Sequence, residues 1–381
     1  MKFVKFLFKS VLVLLILALG ALGLKFYQSK TRIIPYPYAV NIPIDNEFQT
    51  SLSKAEKSKV LIVGDRMGLQ LNAGLKSLEE KINAELKTNL NFYNWSSEKE
   101  SLPRTLFKLK QLKKFPPIII YHGASEEFYE KKFHLSERDA IIKNFKLYDD
   151  DRILSSIITV PELSRLIYAN DQQINLGKSI SKDSTIYQEG QRVLQKELMY
   201  KLFEYEFREL VELVKTNNAI LISIVSPINL EIAPKEICAE VNTNSIIEAH
   251  QEVSDLLKKG EAKEAHTIIK EISNIVVGNA ETSYLLGMSA LKLGDLQTAR
   301  NALSYAVSFD CRPERGDPVF NEIIRRESAK LVTFVIDFDQ TGKAMLGNDS
   351  FFLNDLYPHT LFYENLNDEI ALVLKKILNI K

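Results

Sequence analysis

The sequence predicts an α/β protein: a doubly wound parallel sheet of five strands, carrying an all-α insert and an N-terminal transmembrane helix. Three observations lead there. Four short runs rich in β-branched residues and bounded by turn formers recur along the chain: Lys59 to Asp65 (KVLIVGD), Pro117 to His122 (PIIIYH), Ala219 to Ser226 (AILISIVS) and Lys330 to Asp337 (KLVTFVID). Near-continuous apolar strands of this type suit a parallel sheet covered on both faces. Helical patterns lie between them, over Met67 to Lys87, Leu102 to Lys114 and Gly190 to Asn217, so strand and helix alternate. Asn89 to Tyr93 supplies a weaker fifth strand, and residues 243–310 contain no clear strand at all. In such sheets the ligand crevice lies beyond the carboxyl ends of the strands, so Gly64 to Gly68, His122 to Glu126 and Ser226 to Asn229 should rim it.

The N-terminus decides the compartment. Ser10 to Leu24 (SVLVLLILALGALGL) is an unbroken uncharged run, preceded by Lys2, Lys5 and Lys9 and followed by Lys25, Lys30 and Arg32. If Lys5 and Lys9 snorkel to the headgroups, Phe3 to Leu24 is long enough to cross a hydrocarbon layer of ~30 Å. An uncleaved anchor over residues 1–26 is the first reading. A cleaved signal is the second, because Ala18-Leu-Gly20 and Ala21-Leu-Gly23 are small-residue pairs that a signal peptidase accepts. Either way the body is held on the periplasmic or extracellular side. Residues 27–55, with Pro35, Pro37 and Pro43, read as an extended linker.

Composition narrows the function. The chain has 381 residues, 45% hydrophobic and 26% charged, enough for about two domains with a sizeable core. Its 49 basic residues balance 49 acidic ones, which argues against nucleic acid as a partner. Two cysteines and five scattered histidines without HExxH spacing point to no metal site, and no cofactor is expected.

The insert carries an internal repeat. Gly260 recurs as Gly294 and Ala265 as Ala299, 34 residues apart in both cases, and Gly287, Ala290, Leu303 and Ala306 fill further small or apolar positions. This resembles a tetratricopeptide repeat, in which small residues let antiparallel helices pack closely and present a surface to a protein partner. The first copy departs from the pattern at Glu252 and Val253. Residues 56–242 and 311–381 then form the two parts of the sheet domain, and Val319 to Lys330 is a helix on which the repeats could dock. Cys238 and Cys311 flank the insert. In an exported protein they could pair, stabilising by about 4 to 5 kcal/mol on the chain-entropy model, or remain two buried thiols.

The order of motifs resembles the SGNH (GDSL) hydrolase family, particularly its exported, membrane-anchored members with a tetratricopeptide insert. VLIVGDRMG looks like the family's first block, a strand ending in Gly-Asp-Ser. IIIYHGASEEFY looks like the third block, FNEIIRRESAKLVTFVIDFD like the stretch after the insert, and FFLNDLYPHTLFYENLNDEIALVL like the last block, Asp-x-x-His-Pro with a closing helix. The resemblance implies an SGNH or flavodoxin-like sheet over residues 56–381. It also implies a serine activated by an aspartate-oriented histidine, with an oxyanion hole from a glycine N–H and an asparagine amide.

Those catalytic positions are altered. The nucleophile position is Arg66, which stays protonated and cannot attack a carbonyl. Trp95 corresponds to the second-block glycine, with Ser96 and Ser97 following. Gly123 is kept, but Ser125 stands where asparagine is expected, and Glu126 and Glu127 precede Phe128. Asp355 and His359 survive with one residue too many between them, Pro358 falling at the histidine's place. The candidate crevice is Asp65, Arg66, His122, Gly123, Ser125 and Glu126. Arg66 there either pairs with a carboxylate (Asp65, Glu126, Glu127 or Asp355) or captures an anionic ligand. Trp95 and Tyr121 are core residues or a stacking wall.

The expected function is a membrane-tethered, non-catalytic binding or assembly component at the cell envelope, with a protein partner on residues 243–310 and an envelope glycan as a further candidate ligand. The alternative is an atypical esterase or O-acetyl-transfer enzyme acting on envelope glycans or other acyl esters. It would use Ser125 or Ser96 as nucleophile and His122 or His359 as base.

Overall fold

The computed structural model describes residues 9–21, 40–41, 44–129, 174–175, 189–235, 244–311, 315–348 and 350–379. The chain divides into two units, one formed by Met1–Asn41 with Lys132–Asn175 and the other by Ile42–Lys131 with Leu176–Lys381. In the first unit, residues 9–21 are helical and Val40–Asn41 pairs in parallel with Ile174–Asn175. The apolar side chains of that helix are exposed, Leu14 at 65% and Leu17 at 64%. Among the described residues no helix is long and apolar enough to cross a membrane. The remainder of the segment read as an anchor, residues 1–8 and 22–26, lies outside them, as does Cys238.

The second unit is built on five parallel strands, β1 (Val60–Gly64), β2 (Phe92–Asn94), β3 (Ile118–His122), β4 (Ile220–Ile224) and β5 (Phe334–Ile336), in the order β2-β1-β3-β4-β5. This is a doubly wound order, and its direction reverses between β1 and β3, where such sheets open a crevice. Alternate strand residues point to opposite faces. Leu61, Val63, Ile119, Tyr121 and Leu221 meet α4 (Leu102–Lys110), α5 (Glu189–Thr216) and α10 (Pro318–Leu331) through Leu106, Phe207 and Phe320. Val60, Ile62, Ile120, Ile222 and Ile336 meet α3 (Leu75–Leu86) and the C-terminal α12 (Thr360–Asn379) through Ile82, Leu366 and Ile370. Both faces are therefore covered, which is why the strands are apolar at nearly every position.

Three stretches differ from expectation. The end of the presumed linker is a helix, α1 (Asn46–Lys57), capped by Asp45, whose carboxylate accepts from Phe48 N at 2.8 Å. Phe48, Leu52 and Ala55 recur at helical spacing and pack on the sheet. In Lys330 to Asp337 only the last part is strand. Lys330 and Leu331 finish α10, and Val332 reverses the chain with φ of 53°. The pattern Met67 to Lys87 is likewise broken into a short helix, α2 (Arg66–Gln70), a 3-10 turn and α3.

Residues 244–309 form four helices, α6 (Asn244–Lys259), α7 (Ala262–Ile275), α8 (Ala280–Lys292) and α9 (Leu296–Phe309). Gly260 and Gly294 turn α6 into α7 and α8 into α9 with φ of 85° and 79°, a backbone that L side chains rarely adopt. Ala265 and Ala299 are both fully buried. Leu303 and Val307 of α9 join Ile228 and Leu230 after β4 in one apolar cluster, fastening the insert to the sheet. One further short helix, α11 (Phe338–Ala344), follows β5. Cys311, just beyond α9, is disulfide-bonded.

Candidate functional site

The residues expected to rim a crevice meet where β1 and β3 end, and they are buried. Gly64 turns with φ of 140°, and a Cβ there would stand 2.0 Å from the His122 carbonyl oxygen, so the two strand ends approach as only glycine allows. Asp65 follows as the N-cap of α2, accepting from Met67 N at 2.9 Å. Its other oxygen crosses to the β3 loop, accepting from Ser125 N at 2.6 Å, Ser125 Oγ at 2.7 Å and Glu126 N at 3.0 Å. Burial, together with the nearby Glu126 carboxylate, still pushes Asp65 up to about 7. The aspartate thus ties the two loops together and consumes the Ser125 hydroxyl.

Arg66 belongs to the same group and is 7% exposed. Its Nε lies 3.4 Å from Glu126 Oε1, its backbone N–H donates to Glu126 Oε2 at 3.2 Å, and Tyr129 and Tyr357 place their rings 5.5 and 5.7 Å from the guanidinium carbon. Burial opposes the Arg66 charge, but Glu126, Tyr129 and Asp65 outweigh it and the pKa moves up. Glu126 also accepts from Lys99 N at 2.6 Å, and burial pushes its pKa up despite Arg66. Of the four candidate counter-charges, Glu126 makes this ion pair. Glu127 instead accepts from Leu102 N at 2.9 Å at the start of α4.

The remaining sequence candidates scatter. Trp95 is 7% exposed and packs against Phe48 at 5.6 Å between ring centroids, and Lys108, paired with Glu100 at 2.6 Å, donates to the Trp95 carbonyl. Tyr121 is in the core beside Phe207. Ser96 crosses over α2, where a Cβ on Gly68 would stand 2.4 Å from its Oγ. Asp355 is exposed. His359 opens α12: its N–H donates to the Phe351 carbonyl at 2.7 Å, and its Nδ1 accepts from Leu361 N at 3.3 Å. That nitrogen faces the helix and cannot donate to an aspartate. Among the described residues no hydrogen bond joins His359 to Asp355 or to a serine.

Among the described residues serine meets histidine twice: His266 Nδ1 lies 3.0 Å from Ser289 Oγ inside the helical insert, and the other contact joins His122, a candidate base, to Ser226, which the sequence placed only on the crevice rim. Ser226 Oγ lies 3.2 Å from His122 Nδ1 and donates to the Gly123 carbonyl at 2.9 Å. The serine proton is thereby directed to the carbonyl rather than to the imidazole. His122 is fully buried, and burial pulls its pKa down to about 3. The contact links the end of β3 to the loop after β4, and a buried imidazole of this kind holds a proton weakly. No group of three metal-ligating side chains occurs among the described residues. No protein-family model matches the chain, and no curated protein matches it.

Proposed function

We propose that this protein is a membrane-tethered, extracytoplasmic SGNH-like protein that has lost ester hydrolysis and works at the cell envelope as a binding or assembly component through its helical insert. One observation carries the reading: the side chain in the nucleophile's place is a guanidinium paired with Glu126, while the Ser125 hydroxyl is spent on Asp65. An ester carbonyl entering here meets a cation in the place where a nucleophilic hydroxyl is needed. The exposed apolar helix over residues 9–21 supports the tether, and the two similar helical hairpins support a tetratricopeptide-like partner surface.

A second reading rests on the Ser226–His122 contact, which would serve an atypical esterase if the serine proton turned to the imidazole. Hydrolysis of p-nitrophenyl acetate by the full-length chain separates the two. The non-catalytic reading expects turnover at the buffer background in wild type and in Ser226→Ala; turnover that Ser226→Ala or His359→Ala abolishes would contradict it. Envelope partners captured by the full-length chain should be lost when the exposed insert residues Val277 and Tyr305 are changed to aspartate; unchanged capture would remove the insert's role.

A further inference from the structure

A second buried arginine, Arg315, lies shortly before α10 and directly precedes the glycine that packs on the loop after β3. Arg315 is 6% exposed. Its neighbour Gly316 packs on the loop after β3, where a Cβ would stand 3.4 Å from Ser125 Cα and 3.7 Å from the Ala124 carbonyl oxygen. The Arg315 Nε and Nη2 atoms are closed to solvent and reach no acceptor. A buried charged donor in that condition is unfavourable, and burial accordingly draws the Arg315 pKa down.

Carboxylates stand nearby, yet among the described residues none takes this edge. Asp317 accepts from Tyr200 Oη at 2.7 Å, pairs with Lys196 at 3.0 Å and caps α10 through Val319 N at 3.0 Å. Asp310 accepts from Lys235 N at 3.1 Å. Asp355 is exposed on the C-terminal turn and acts on Arg315 only through space. Tyr284 sends its hydroxyl to the Glu231 carbonyl at 3.2 Å. The same chain shows what this edge of a guanidinium takes: Arg325 holds the two oxygens of Asp337 with Nε and Nη2, each at 2.8 Å. Parallel Nε–H and Nη2–H donors match the spacing of two carboxylate oxygens.

We propose that Arg315 is the recognition point for a carboxylate-bearing ligand beside the loop that follows β3, gripped side-on through Nε and Nη2. The ligand's carboxylate stands to Arg315 as Asp337 stands to Arg325. This goes beyond the non-catalytic reading and would hold for either a binding protein or an enzyme. Charge alone does not make such a grip. A lysine there would keep the cation and lose the fork.

Thermal unfolding of the full-length chain tests it, with sodium glucuronate, acetate and phosphate titrated against sodium chloride at equal ionic strength. Wild type should melt about 2–4 °C higher in glucuronate than in chloride. A similar gain in acetate assigns the carboxylate alone, and a smaller one assigns part of the grip to the sugar. Arg315→Met should melt no lower than wild type in chloride and gain nothing from carboxylate, and Arg315→Lys should lose most of the gain. A wild type indifferent to both carboxylates overturns the proposal whatever the variants do. So does an Arg315→Met protein that melts well below wild type in chloride, since the guanidinium would then be satisfied within the chain. A gain in phosphate equal to that in glucuronate overturns the carboxylate assignment.

Discussion

At the scale of single residues, the candidate site is governed by two buried carboxylates with different duties. Glu126 balances Arg66, so Glu126→Gln leaves a buried cation without its partner and should cost about 3 kcal/mol of stability in urea unfolding. Adding Arg66→Met should recover most of that loss, because the pair together is close to neutral against apolar replacements. Asp65 instead joins loops, and it titrates. Its folded pKa of about 7 stands above the ordinary 3.8, so the stability it contributes is complete below about pH 3.8 and is lost as pH rises through about 7. The stability of wild type relative to Asp65→Asn should therefore fall between those limits and stay level above them. His122 acts with the opposite sign. Its folded pKa near 3 lies below the ordinary 6.5, so its contribution is present above pH 6.5 and lost as pH falls toward 3. Across the shared window the two slopes oppose each other, and a pH series on wild type alone would look flatter than either residue makes it.

At the scale of elements, the helical insert depends on close contact between α8 and α9. A Cβ on Gly287 would stand 2.5 Å from Leu303 Cγ, inside any real carbon–carbon contact. Gly287→Val must push the two helices apart and should cost about 1–3 kcal/mol by thermal or urea unfolding. Gly287→Asn on the same helix would fare no better, since the obstacle is volume and not polarity. The strands were legible in the sequence because burial on both faces forces them to be apolar throughout, as in Ile118, Ile119 and Ile120. The 34-residue recurrence of Gly260 and Gly294 was legible for a different reason, a turn that needs φ near 80°. What escaped was α1. Prolines upstream of it mark an irregular chain, and the helical spacing of Phe48, Leu52 and Ala55 is too short a signal to stand against them. The strand β5 was overextended because Val332 and Thr333 favour strands, while the left-handed reversal that caps α10 uses a β-branched residue against its local preference.

At the scale of the whole molecule, the sheet order decides which strand ends meet, and it gathers the candidate residues of β1 and β3 in one place. Asp65, Arg66, His122, Gly123, Ser125 and Glu126 all lie around the ends of β1 and β3, with Ser226 closing the side toward β4. The local sequence carried these because each follows directly on a strand. Long-range pairings were beyond its reach: nothing near Arg66 announces Tyr357, and nothing near Ser125 announces Gly316. The same limit hid Arg315. Its surroundings come from α8, α9, the start of α10 and the C-terminal turn, four places brought together only by the fold. On the proposed function, no serine here is activated. Treating the full-length chain with a fluorophosphonate, which phosphonylates activated serines, and mapping adducts by mass spectrometry tests that directly. No adduct above the heat-denatured control is expected; a stoichiometric adduct on Ser96, Ser125 or Ser226 would overturn the non-catalytic reading.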